Sequence, residues 1–202
     1  MKKMTFALAA LAAASAQPAL AQDNTPRVTF AAMVGLDSLS GSDGEFSESD
    51  ENVAYYAALG GDFPVNSSLF VGVEGELGDS ELGEEIRDVL VPGDRAELLI
   101  STDIAVGARA GFTTGSFRVY GKGGYAWTTL RGTYDDGVES LSEEETVGGW
   151  RAGGGVEAGL TDYLALRVEY RYTDYDELEY DGVDLGVDAS RNQVMGGLVL
   201  AF

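Results

Sequence analysis

The stretch Leu160-Thr161-Asp162-Tyr163-Leu164-Ala165-Leu166-Arg167-Val168-Glu169-Tyr170-Arg171-Tyr172-Thr173 decides the fold. Within it Leu164, Leu166, Val168, Tyr170 and Tyr172 alternate with Ala165, Arg167, Glu169, Arg171 and Thr173. Side chains of an extended chain point to its two faces in turn, so this is a strand with one apolar face and one charged face. A single strand of that kind also suits a water-soluble sandwich. The number of segments sharing the pattern, and what joins them, separates the two readings.

Seven other segments share it. Residues 28–36 and 53–63 carry Val28, Phe30, Val34, Leu36 and Val53, Tyr55, Leu59, Phe63 on one face. Residues 69–77 set Leu69, Val71, Val73 and Leu77 against Glu74 and Glu76, and residues 98–112 set Leu98, Ile100, Ile104, Val106 and Phe112 against Asp103 and Arg109. Residues 117–129 oppose Phe117, Val119 and Trp127 to Arg118 and Lys122, and residues 150–160 oppose Trp150, Val156 and Leu160 to Arg151 and Glu157. Residues 191–202 close the chain with Val194, Leu198, Leu200 and Phe202 against Arg191 and Gln193. Each is near or above the roughly 9–11 residues that cross a bilayer when tilted.

The connections near residues 37–52, 79–96, 132–147 and 174–190 are long and polar, whereas those at 62–68, 113–116 and 161–162 are short. Strict alternation of long and short predicts an all-β fold, an eight-stranded antiparallel up-and-down transmembrane barrel in an outer membrane, with tight periplasmic turns, longer external loops and both termini periplasmic. Tyr55, Phe112, Phe117, Tyr125, Trp127, Trp150, Tyr163 and Tyr172, near strand ends, are expected to form the interfacial girdles.

Magnitudes choose the inward face. An Arg facing lipid at mid-depth costs roughly 2–4 kcal/mol. Turning Arg167, Glu169 and Arg171 outward would therefore approach a whole domain's stability of about 5–15 kcal/mol. With the charges turned inward, Glu74, Glu76, Asp103, Glu157 and Glu169 meet Arg109, Arg118, Lys122, Arg151, Arg167, Arg171 and Arg191, which predicts a paired network filling the lumen. Eight strands enclose little more than their own side chains, so no wide channel is expected.

The first residues and the composition bound the rest. Met1, Lys2 and Lys3, a short apolar run and Ala19-Leu20-Ala21 match a secretory signal peptide over residues 1–21, leaving a barrel domain over residues 22–202. The run is too short and too interrupted for a membrane anchor. Cysteine and histidine are both absent, which removes disulfides, the usual zinc ligand and every Ser-His or Cys-His mechanism. No enzymatic role, cofactor or metal is expected. The net charge of −21 becomes −23 without Lys2 and Lys3, and most of it falls in the four long connections. A surface this acidic disfavours nucleic acid and favours cationic partners.

Several local features carry less. Glu143, Glu144, Glu145, Asp174, Asp176, Glu177, Glu179, Asp181, Asp184 and Asp188 bear the oxygen ligands that calcium takes, but regular EF-hand spacing is missing, and a solvated face is the expectation. Gly153-Gly154-Gly155 has no following helix and the wrong spacing for a phosphate loop, so it reads as strand crowding. Asn66-Ser67-Ser68 fits a glycosylation pattern but lies in an expected periplasmic turn.

The run from Leu160 to Asp174 resembles the penultimate hairpin of the small opacity-type, porin-family outer-membrane barrels of Gram-negative bacteria, a group of OmpA/OmpX-like eight-stranded domains. Gly197-Leu198-Val199-Leu200-Ala201-Phe202 is similar to their closing strand, and Phe202 resembles the terminal signal read by the barrel assembly machinery. Leu200 stands where many relatives carry Tyr, and the connections are unusually acidic. The resemblance implies a structural or surface-interaction protein of the cell envelope, with a small cation-preferring diffusion pore as the alternative. Expected partners are outer-membrane lipids and lipopolysaccharide, bridged by divalent cations, and the assembly machinery, together with a surface ligand that the residues do not identify.

Overall fold

A strand with one apolar face is stable only when that face is covered, and a ring of such strands covers it with lipid while leaving no unpaired edge in the membrane. The computed structural model describes residues 25–41, 52–80, 83–87, 95–135, 140–176, 179–180, 183–184 and 189–202. Its strands are β1 (Arg27–Gly41), β2 (Asn52–Pro64), β3 (Leu69–Ser80), β4 (Gly83–Arg87), β5 (Arg95–Thr114), β6 (Phe117–Asp135), β7 (Ser140–Gly159), β8 (Leu164–Tyr175), β9 (Glu179–Tyr180), β10 (Val183–Asp184) and β11 (Ala189–Ala201). The segment read as a signal peptide, and Glu177, Asp181 and Asp188, lie outside the described residues.

Eight strands close an antiparallel ring in the order β1-β2-β3-β5-β6-β7-β8-β11, with β11 returning to β1. The ring is the up-and-down barrel that the alternation predicts. β4 pairs with the start of β5, and β9 pairs with β10. The closing register runs from Thr29 opposite Ala201 to Gly41 opposite Ala189, and backbone hydrogen bonds between Val28 and Phe202 extend it to the last residue.

Burial follows the period of two. Along β8, Ala165, Arg167, Glu169, Arg171 and Thr173 are buried while Leu166, Val168, Tyr170 and Tyr172 are exposed. Val168 is 61% exposed and Arg171 is 0% exposed, the reverse of a water-soluble domain. The girdle aromatics face outward, and Tyr125 stands edge-on to Trp127 and Trp150 at centroid distances of 5.1 and 5.5 Å.

The turns at one end are held by their own side chains. Asn66 Oδ1 accepts from the N–H groups of Ser68 and Leu69, both at 2.9 Å, which gives this asparagine a structural reason. Between β5 and β6, Gly115 takes φ +58°, the left-handed conformation that a two-residue hairpin demands.

Inside the barrel, large rings lie over glycines on neighbouring strands. Tyr56 covers Gly78, where an added Cβ would sit 2.3 Å from the ring. Gly75, two positions short of Leu77 on the same strand, has nothing nearer than 4.0 Å. Gly78→Ala is therefore expected to cost about 1–3 kcal/mol by overpacking, read as a lowered urea midpoint of the refolded barrel relative to Gly75→Ala. Equal midpoints would show that Tyr56 has room to turn away.

The structure departs from the sequence reading in four places. In the first, the connections expected at 79–96 and 174–190 hold β4 paired with the start of β5 and β9 paired with β10. β6 and β7 run through most of residues 132–147, expected to be a loop, pairing as far as Asp135 opposite Ser140. Those residues carry no hydrophobic alternation because a ribbon standing above lipid needs no apolar face. The alternation read as continuous from Leu98 to Phe112 is interrupted, since the β5–β6 register slips between Ile100 and Thr102 at a bulge. Asp37 and Asp62, assigned to connections, are lumen residues of β1 and β2, 1% and 2% exposed.

Candidate functional site

The lumen is lined by one side-chain set from each strand of the ring, because only every second residue points inward. At the end with the short turns, Arg118 Nη1 donates to Asp62 Oδ2 at 2.7 Å. Asp62 also receives a two-pronged contact from Arg109, Nε to Oδ1 and Nη2 to Oδ2, both 2.8 Å. This parallel geometry is the strongest that a guanidinium and a carboxylate form. Arg109 Nη1 reaches on to Glu74 and Glu157, each at 3.2 Å, and Arg167 grips the same two carboxylates at 2.8 and 2.7 Å.

The chain of charges then climbs. Glu169 accepts from Arg171 Nε at 2.5 Å and lies 2.6 Å from Lys122 Nζ, and the Tyr120 hydroxyl donates to it. Lys122 also pairs with Glu76, which Arg171 and Arg151 approach at 3.1 and 3.2 Å. Arg151 and Arg191 share Asp103 Oδ2 at 2.7 and 2.6 Å. Arg191 Nε finally meets Asp37 at 2.9 Å, and Ser80 Oγ donates to the same carboxylate at 2.7 Å.

From Arg118 to Asp37 the links are unbroken, and no side chain among them is more than 8% exposed. Guanidinium groups also lie over rings: Arg118 over Phe70 at 3.9 Å, Arg171 over Tyr56 at 4.5 Å and Arg109 over Tyr120 at 5.2 Å. Such stacking satisfies the faces of cations whose edges are spent on carboxylates. A cavity of about 20 Å³ bordered by Glu74, Glu76, Lys122 and Arg151 has room for roughly one water.

All twelve charged residues assigned to the interior from sequence fall in this network: Glu74, Glu76, Asp103, Arg109, Arg118, Lys122, Arg151, Glu157, Arg167, Glu169, Arg171 and Arg191. Among the described residues Asp37 and Asp62 join it, turning five acids against seven bases into seven against seven ion-paired groups. Their positions have the inward parity of Ala31 and Met33 on β1 and of Tyr56 and Ala58 on β2, a signal present in the sequence. Phe202 ends the closing strand 78% exposed.

The acidic residues at the other end are arranged differently. Glu143, Glu144 and Glu145 are exposed along β7, and Glu144 pairs with Arg131 on β6 at 2.5 Å. Tyr125 donates to Asp176, and its hydroxyl crosses where a side chain on Gly148 would stand. Among the described residues no three His, Cys, Asp or Glu side chains are placed to hold a metal ion.

A closed ring, apolar outside and ion-paired inside, defines a membrane-spanning β-barrel of the outer-membrane type. The chain belongs to the outer membrane protein beta-barrel domain family, whose family model matches residues 6–190. It is 34% identical over 113 residues to a 22 kDa outer membrane protein of Rhizobium leguminosarum bv. viciae, covering 56% of this chain and 48% of that protein. The 25 kDa outer-membrane immunogenic protein of Brucella canis matches with the same identity and coverage, so the match spans about half the length of these relatives. Among solved structures, a major outer membrane protein of Thermus thermophilus superposes with a TM-score of 0.60 at 11% identity, covering 88% of this chain and all of that one. The Yersinia pestis attachment invasion locus protein Ail, solved with the heparin analogue sucrose octasulfate, gives 0.52 at 13% identity over 86% of this chain and 99% of its own. These structural likenesses are ones of fold.

Proposed function

We propose that this protein is a structural and surface-interaction component of the outer membrane, a non-conducting barrel that presents an acidic face to the cell exterior. The observation that carries the reading is the balanced ladder of seven acids and seven bases running the length of the lumen. A diffusion pore would have to separate several buried pairs, and leaving even one charge unpartnered costs about 3–5 kcal/mol. No catalytic group is assigned, and no cofactor.

In this reading the short turns and both termini are periplasmic, and the strand extensions with their carboxylates face outward from the cell. Divalent cations shared between those carboxylates and lipopolysaccharide phosphates would knit the rim to the lipid, and Phe202 would serve the assembly machinery. The sulfated sugar bound by Ail suits this chain poorly, because a net charge of −21 repels a polyanion.

Planar-bilayer recording of the refolded mature chain tests the proposal. The expected record shows no steady large single-channel steps. Steady, cation-selective steps that change on replacing Arg167 and Glu169 together would establish the pore instead.

A further inference from the structure

One further cation stands at the short-turn end of the ladder, outside its pairing. Arg27 opens β1 with the inward parity of Thr29 and Ala31, and it is half-buried. Directly opposite it on β2 is Asp62. An arginine across from an aspartate would ordinarily claim it, yet Asp62 is already held by both prongs of Arg109 and by Arg118 Nη1. Glu157 is taken in turn by Arg167 at 2.7 Å and Arg109 at 3.2 Å, and its second oxygen lies 3.5 Å from Arg118. Asp162, on the turn between β7 and β8, stands exposed. Among the described residues no carboxylate forms an ion pair with Arg27.

Arg118 has donors to spare as well. Its side chain is 5% exposed and stacks on Phe70 at 3.9 Å, so its direction is fixed. Among the described residues only its Nη1 makes a hydrogen bond, which leaves Nε and Nη2 unspent. The charges acting on Arg27 are those of Arg118 and Arg109 against Glu157 and Asp62. Three guanidinium groups thus face two carboxylates at this mouth, in a chain whose net charge is −21.

A guanidinium is a planar fork that matches the oxygens of a carboxylate or a phosphate. One fork satisfies a carboxylate, whereas a phosphate has oxygens enough for two. We propose that Arg27 and Arg118 together bind a phosphate group at the short-turn mouth of the barrel. Phosphate reaches such a place as a phospholipid headgroup at the membrane surface or as the free anion in water. The proposed orientation enters only in saying which side of the membrane supplies it, and a barrel that conducts leaves this inference standing.

The test is calorimetric titration of the refolded mature chain in a non-ionic maltoside detergent, with inorganic phosphate and, separately, with short-chain phosphatidylglycerol. One saturable site is expected for at least one of them. Binding should weaken at least about tenfold in Arg27→Gln and measurably in Arg27→Lys, which keeps the charge but not the fork. Arg27 belongs to no rung of the ladder, so heat-modifiable gel mobility should show both variants folded. Arg131→Gln, at the other end beside Glu144, is expected to bind as the unaltered protein does. Binding of the lipid without inorganic phosphate assigns the site to a headgroup, and equal binding of the two assigns it to the free anion. No saturable binding of either probe, or binding unchanged in either Arg27 variant, overturns the proposal.

Discussion

Arg109→Ala is expected to lower the unfolding free energy of the refolded barrel by about 3–5 kcal/mol, measured by urea titration in detergent micelles. Arg109 is fully shielded and holds carboxylates from three strands: Asp62 on β2, Glu74 on β3 and Glu157 on β7. Without it Asp62 keeps only Arg118, and Glu74 and Glu157 fall back on Arg167 and weaker contacts. One negative charge is then in excess in a space that water scarcely enters, and the cost of an uncompensated buried charge exceeds that of a lost surface pair several times over. Arg109→Met combined with Asp62→Asn removes one charge of each sign, and is expected to recover most of the loss. A single-variant effect within about 0.5 kcal/mol of zero would mean that the lumen is wet enough to screen its own charges.

Val168→Arg is expected to cost about 2–4 kcal/mol, because Val168 stands 61% exposed in the middle of β8 on the face assigned to hydrocarbon. Its neighbours Arg167 and Glu169 are themselves charged, so the strand tolerates charge on one face and not on the other. Urea titration after folding into lipid vesicles reads the difference. The same substitution placed at Phe63, close to the turn between β2 and β3, should cost about 0–1 kcal/mol, since the penalty fades toward the interface. Equal costs at the two depths would contradict a bilayer around this face.

Most of the barrel was legible because lipid and lumen impose opposite chemistries on successive residues, and β8 displays both without a gap from Leu164 to Thr173. Twelve of the fourteen charges in the described ladder were readable for the same reason. Asp37 and Asp62 escaped because each follows the last apolar residue of its face or sits beside a turn, where an acid looks solvated. Nothing in the sequence marks that Arg191 reaches Asp37 from the closing strand or that Asp62 lies between Arg109 and Arg118, since these contacts depend on ring closure. The β6–β7 ribbon above the membrane was invisible for the opposite reason: with water on both faces, its residues obey no period.

Every stave of the ring contributes at least one member to the ladder: Asp37, Asp62, Glu74, Asp103, Arg118, Arg151, Arg167 and Arg191 come from eight different strands. The wall thus carries its own checksum. A sheet lacking the last stave leaves Asp37 without its arginine and Asp103 with half its partners, and a slip of one residue would send the whole charged set of a strand into lipid. Only the complete cylinder, in its single correct register, gives every member of the ladder its partner.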